Sequence, residues 1–259
     1  MSVLGHRLRA YVRPSGGTWT PTDLPSLAVW YDADTAGDFT LSGSDIVQWN
    51  DKSGNARHLS TLTGTLTRQT NIQNGRAIVR GAGNAAIAYT AGSAWLTGAT
   101  FLIGIATKAT TGGPNYERLV SGGDHSTADN SGTGANLLIS KQINPEMAVY
   151  GSPVSAISMD TWFTVIGYSA ATLTGITING STPATGSYTH SLNVRTLRLL
   201  GDVDSSGNST TEWVGDVGEC VVATAYTSTD REKLEGYIAH RWNLQSLLPG
   251  GHPYKTSPP

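Results

Sequence analysis

The densest run of potential metal ligands is Asp202, Asp204 and Ser206, followed by Gly207, within the polar stretch GDVDSSGNSTT from Gly201 to Thr211. Carboxylates at the first and third places, a hydroxyl at the fifth and glycine at the sixth open a calcium-binding loop. Asp202, Asp204 and Ser206 are therefore the calcium candidates, although the twelfth place is Trp213 and no bidentate carboxylate closes the shell. Asp32, Asp34 and Asp38 repeat the pattern more loosely. A second long polar loop, Ser121 to Gly134, carries Asp124, His125, Asp129 and Asn130. Long loops on a rigid scaffold are where binding groups concentrate. Trp95 sits among small residues, and Tyr116 and Tyr188 flank polar loops, so these rings could stack on a sugar face. The ligand-binding candidates are Trp95, Tyr116, Asp124, His125, Asp129 and Asn130.

Catalytic patterns are harder to find. Glycoside hydrolysis needs two carboxyls facing each other across a sugar. Two acids on one strand share a face only at even spacing. Glu219 and Asp216 are three apart, which predicts opposite faces. The histidines at 6, 58, 125, 190, 240 and 252 show no metal-ligand spacing. No Gly-x-Ser-x-Gly elbow runs from a strand into a helix. Cys220 lies in the apolar run GECVVATA, which suits a buried thiol rather than a reactive one. On these grounds the expectation is a protein without enzymatic activity and without a cofactor, calcium aside.

Strands must position these groups. LAVWYDAD, from Leu27, reads as a buried strand, and ten further strand candidates follow between Arg76 and Ala225. Asn179-Gly180 is the strongest tight-hairpin signal. Trp30, Trp49, Trp162 and Trp213 fall inside strand patterns and are expected in the core. One helix is expected over 229–244. Thr229 and Glu232 suit a capping box, and Leu234, Ile238 and Trp242 recur on one face. Many strands with one late helix argue for two packed antiparallel sheets.

Charged residues make up 14% of the 259 residues and the net charge is −2, with no cluster of Lys and Arg to hold phosphates, so nucleic acid is not an expected partner. No apolar run is long enough to span a bilayer, so membrane insertion is not expected. A single cysteine excludes an internal disulfide, which suits assembly in a reducing cytoplasm. Residues 1–22 differ from the rest. Leu4, Arg7, Leu8, Arg9, Tyr11 and Arg13 precede a Pro-Ser-Gly-Gly break and read as a docking arm or as a disordered terminus, with residues 23–259 as the main domain.

LAVWYDAD, IVQWNDKSGNARH, NGRAIVR and the closing stretch GDVGECVVATAYTSTDREKLEGYIAHRWNLQSLLPGGHPYK together resemble the concanavalin A-like, laminin-G-like jelly-roll domains of bacteriophage virion proteins. The resemblance implies an all-β, two-sheet antiparallel jelly-roll sandwich with a C-terminal helix packed at its edge. It implies a structural role on a virion assembled in the bacterial cytoplasm, as a capsid decoration or a tail or fibre component. The expected partners are other virion proteins reached through the arm, further copies of the chain, and a host cell-surface glycan. The alternative is a carbohydrate-binding module, and behind it a glycosidase.

Overall fold

The computed structural model describes residues 18–124, 137–150, 154–203 and 209–259. Leu4, Arg7, Leu8, Arg9, Tyr11 and Arg13 of the expected arm lie outside these, as do His125, Asp129, Asn130, Asp204 and Ser206. The described chain is an antiparallel β-sandwich of jelly-roll type, with a ten-stranded sheet facing a seven-stranded one. Phe101–Ala109 and Val214–Ala223 lie side by side in the middle of the ten-stranded sheet. Arg118–Gly123 is the central strand of the other, between Leu137–Lys141 and Thr196–Leu199.

The central strands of the larger sheet read as largely apolar runs rather than as alternating ones because both of their faces are covered. Ile103, Ile105, Val217 and Val222 point into the space between the sheets and meet Leu119, Leu137, Ile139, Val149, Leu197 and Leu199. Leu102, Ala106, Ile166 and Val221 point the other way, into a second core with Leu234, Tyr237, Ile238 and Trp242 of the C-terminal segment. Gly104 makes that second contact possible. A Cβ there would lie 2.6 Å from a Leu234 methyl and 2.9 Å from one of Ile238. Trp19, within the expected arm, belongs to this core too, with its ring 5.7 Å from that of Tyr237.

The helix runs over Ser228–Arg241 rather than 229–244. Two overlapping Thr-x-x-acid patterns occur here, and the earlier one forms the cap. The Asp230 N–H donates to Thr227 Oγ1 at 3.1 Å, and the Thr227 N–H donates to Asp230 Oδ2 at 2.9 Å. Asn179 and Gly180 both take the left-handed conformation, at φ 53° and 64°, as a tight hairpin turn requires. Trp30, Trp49 and Trp213 are buried as expected, while Trp162 is only half-buried.

The Asn50–Asn55 turn fixes a corner of the sandwich through one side chain. Asp51 accepts from the Trp30 N–H at 2.9 Å, the Ser53 N–H at 2.8 Å, the Ser53 hydroxyl at 2.7 Å and the Arg57 N–H at 3.1 Å. Removing it strands several donors at a nearly buried site. Asp51→Ala is expected to cost about 2–3 kcal/mol, seen as a lower urea midpoint.

Candidate functional site

The outward face of the seven-stranded sheet is built by simple alternation. Leu137, Ile139, Met147 and Val149 enter the core, so Leu138, Ser140, Ala148 and Tyr150 are turned out. On the central strand Arg118 stands opposite Ser140, and Ser121 stands opposite both Leu138 and Arg198. A bulge between Arg118 and Val120 lets Leu119 and Val120 both enter the core while Arg118 stays outside. The result is a trough of about 300 Å3 lined by Tyr116, Arg118, Leu138, Ser140, Gln142, Ala148, Tyr150 and Val154.

A buried ion pair fixes its floor. Asp202 Oδ2 accepts from Arg118 Nη1 at 2.7 Å, and Asp202 Oδ1 lies 3.5 Å from Arg198 Nη1. Asp202 is fully buried and Arg198 nearly so. Burial pulls the Arg198 guanidinium below its ordinary pKa, and Asp202 opposes this. Asp202 is thus paired with arginine, while Asp204 and Ser206, the other two calcium candidates, lie outside the described residues. The spacing that suggests a calcium loop cannot reveal partners from distant strands. Asp32 and Asp38 flank Lys52 at 2.8 and 3.6 Å, and Asp34 pairs with Arg76, so the looser acidic trio is likewise spent on cations. Among the described residues no group of three or more His, Cys, Asp or Glu side chains could hold a metal ion.

Tyr116 guards the mouth of the trough. It is 48% exposed and has φ 61°, a costly backbone state for a bulky residue. The neighbour that holds it there is Glu117. Its Oε2 accepts from the Val214 N–H at 2.8 Å and its Oε1 faces Lys141 Nζ at 2.9 Å. Burial pushes the Glu117 carboxyl up, and the Lys141 and Val214 contacts pull it back. Lys141 also donates to the Pro114 carbonyl at 3.0 Å, which closes the loop beneath Tyr116. On the opposite wall Tyr150 meets the edge of Tyr188, Tyr188 meets His190, and His190 meets Phe101, with ring centroids 5.4, 5.0 and 5.2 Å apart. Burial pushes the His190 pKa down.

Of the candidates chosen from sequence, Tyr116 lines the trough. Trp95 and Asp124 meet around Arg195, at the other end of the Arg118–Gly123 strand. The Trp95 indole N–H donates to the Arg195 carbonyl at 3.1 Å, and Asp124 Oδ1 lies 3.9 Å from Arg195 Nε. The Arg57 guanidinium covers the Trp95 ring at 4.7 Å. Arg118, Ser140, Gln142 and Tyr150 went unrecognised. Their signal is the polar member of each alternating pair, which becomes visible once Leu137 and Ile139 are known to face inward.

A second charged cluster lies under the helix. Asp32 and Glu219 are register partners on adjacent strands. Glu219 accepts from the Trp30 indole at 2.6 Å, the Trp242 indole at 2.9 Å and the Tyr237 hydroxyl at 3.0 Å, with Arg241 Nε 3.3 Å away. Burial pushes the Glu219 carboxyl up against the pull of Arg241. Burial also acts on Asp32, but Arg241 and Lys52 together bring it below the usual carboxylate range. Both carboxyls are fully buried, so this cluster clasps the helix to the sheet. Asp216 shares the Glu219 face. It pairs with Arg80 at 2.7 Å and Lys108 at 2.9 Å, whose strand neighbours Ile78 and Ala106 belong to the helix-side core. A bulge between Val217 and Glu219 cancels the odd spacing. The inference that these acids face opposite ways was wrong.

No family model and no curated protein matches the chain. Solved structures share its fold. A Trypanosoma rangeli sialidase in complex with sialic acid is 14% identical with a TM-score of 0.56, over 83% of this chain and 33% of that one. Domain 4 of AbnA, a GH43 extracellular arabinanase from Geobacillus stearothermophilus, in complex with arabinotriose, is 14% identical with a TM-score of 0.53, over 82% of this chain and 100% of that one. A GH54 α-L-arabinofuranosidase soaked with 4-nitrophenyl α-L-arabinofuranoside is 14% identical with a TM-score of 0.57, over 83% and 59%. The chain thus spans a third of the sialidase, under two thirds of the arabinofuranosidase and the whole of the arabinanase domain. At these identities the likeness is one of fold, and the fold is one carried by carbohydrate-active proteins. Their descriptions name no bacteriophage. The expectation of a protein without enzymatic activity is corrected: glycoside hydrolases carry this fold, and the strand-face argument used against paired carboxylates fails at the bulge.

Proposed function

We propose that the chain is a carbohydrate-binding β-sandwich domain whose binding surface is the outward face of the seven-stranded sheet. The observation that carries this is Tyr116, held exposed in a costly backbone conformation at the mouth of a polar trough whose Arg118 is aimed by buried Asp202. An aromatic ring beside a few oriented polar groups is the chemistry that recognises a sugar, whose C–H face stacks while its hydroxyls pair. Ser140 and Gln142 supply hydroxyl and amide groups, and Tyr150 forms the opposite wall. The full-length overlap with a domain solved with arabinotriose supports the same ligand class. Asp124, at the far end of the Arg118–Gly123 strand, belongs to the same proposal, whereas the Trp95 ring packs against the inter-sheet core beneath Arg57. Display on a bacteriophage particle, with residues 1–22 docking on other virion proteins, rests on sequence resemblance alone and is compatible with this role.

Tyr116→Ala is expected to weaken binding to a responsive member of a panel containing arabinotriose and sialyllactose by about tenfold, the loss of one stacking contact. The unfolding midpoint should not move, because the ring is half outside the protein. Calorimetric titration showing equal affinity for variant and parent would exclude the trough as the site.

A further inference from the structure

A second hollow, of about 360 Å3, opens where Ser155–Ala156, the start of Trp162–Ala170, the turn at Asn179 and the 3-10 segment Gln245–Leu247 converge. Its wall contains the half-buried Trp162. One face of that indole lies on Trp242, with centroids 5.6 Å apart and planes 7° apart. Trp242 is fully buried and anchored to Glu219, so Trp162 has a rigid backing. Phe163 and the half-exposed Leu247 continue the apolar wall. Ser158, Thr161 and Asn179 supply the polar part. Asn179 Oδ1 accepts from the Thr164 N–H at 2.9 Å, which turns its NH2 group away from that strand. Thr161 donates to the Ser158 carbonyl at 2.9 Å and keeps its own oxygen available as an acceptor. Among the described residues no charged side chain lines the hollow.

We propose that this hollow binds an uncharged sugar ring stacked on Trp162. A flat, backed aromatic surface bordered by small hydroxyl and amide groups matches a sugar, which has an apolar C–H face and a polar edge. A purely apolar partner would leave the Asn179 amide and the hydroxyls unpaired, at a desolvation cost. An acidic sugar would find no cation among the described residues here. The inference extends the carbohydrate-binding proposal to a second place and shares its ligand class, but none of its residues.

The full chain, labelled with 15N, is titrated with methyl α-L-arabinofuranoside, methyl β-D-glucopyranoside and the methyl glycoside of N-acetylneuraminic acid. The seven tryptophans give separate indole N–H signals, with that of Trp162 assigned by its loss in Trp162→Phe. At least one neutral glycoside is expected to shift the Trp162 signal saturably, and the acidic one is not. Ser158→Arg places a long chain in the hollow without removing a core contact, and should weaken that response at least tenfold. Tyr116→Ala should leave it unchanged. An unmoved Trp162 signal with both neutral glycosides, an equal response in Ser158→Arg, or an equal response to the acidic glycoside overturns the inference. So does a shift produced by raising the protein concentration alone, which would make a second copy the occupant. If the trough proposal fails instead, the Trp162 response survives, so the two failures are distinguishable.

Discussion

Glu219→Ala is expected to destabilise the protein by about 3–5 kcal/mol, the usual cost of breaking a buried charged pair from one side. Glu219 is fully buried and receives hydrogen bonds from Trp30, Tyr237 and Trp242, with Arg241 Nε at 3.3 Å. Removing the carboxylate leaves two indole N–H groups and a phenol without their acceptor, and leaves the Arg241 charge balanced by Asp32 and Asp34 alone. Desolvated donors without partners are costly, which is why the loss exceeds that of an ordinary hydrogen bond. Glu219→Gln should fall between parent and alanine, since its carbonyl oxygen can keep part of the donor set. Urea unfolding followed by far-ultraviolet circular dichroism gives the difference. A loss below 1 kcal/mol for the alanine variant would show that the cluster does not hold the helix.

Trp242→Ala is expected to cost a similar amount, about 3–5 kcal/mol, by a different route. The side chain is fully buried, stacks on Trp162 and fills the space that Gly218 leaves open. A Cβ at position 218 would come within 2.5 Å of the indole, so sheet and ring are fitted to each other. Truncation opens a large cavity between helix and sheet and removes a donor from Glu219. Trp242→Phe should recover most of the packing while still losing the N–H. Because Trp242 and Glu219 share a hydrogen bond, the double variant should lose less than the sum of the single losses. Strict additivity would mean that the two residues act independently.

Much of the fold was legible because burial on both faces leaves a simple trace. Phe101–Ala109 and Val214–Ala223 are mostly apolar runs interrupted by few charges, and Asn179-Gly180 is a turn whose backbone few other residue pairs tolerate. Thr67–Gln73 was missed because it is polar apart from the exposed Ile72 and no residue in it is buried, so no alternation marks it. Phe39–Ser42 and Thr61–Thr63 were missed because runs of four and three residues are too short to establish a period. At the site, Tyr116 was legible as a ring next to a turn. Arg118 was not, since its meaning depends on Asp202, eighty-four residues further on. Asp216 and Glu219 were misjudged because a single inserted residue reverses the parity of a strand, and parity is all that spacing can report.

The Trp19 N–H donates to the carbonyl of Pro259 at 3.1 Å, so the described chain enters and leaves the sandwich at one point. Polypeptide placed ahead of residue 18 and polypeptide placed after residue 259 would therefore emerge side by side. The domain would hang from a single stem like a fruit, with the stem beside the helix-side core to which Trp19 belongs and the trough on the outer face of the opposite sheet. The same proximity makes the ends joinable. A short linker between them, with new ends cut into an exposed loop, should give a permuted chain that still folds.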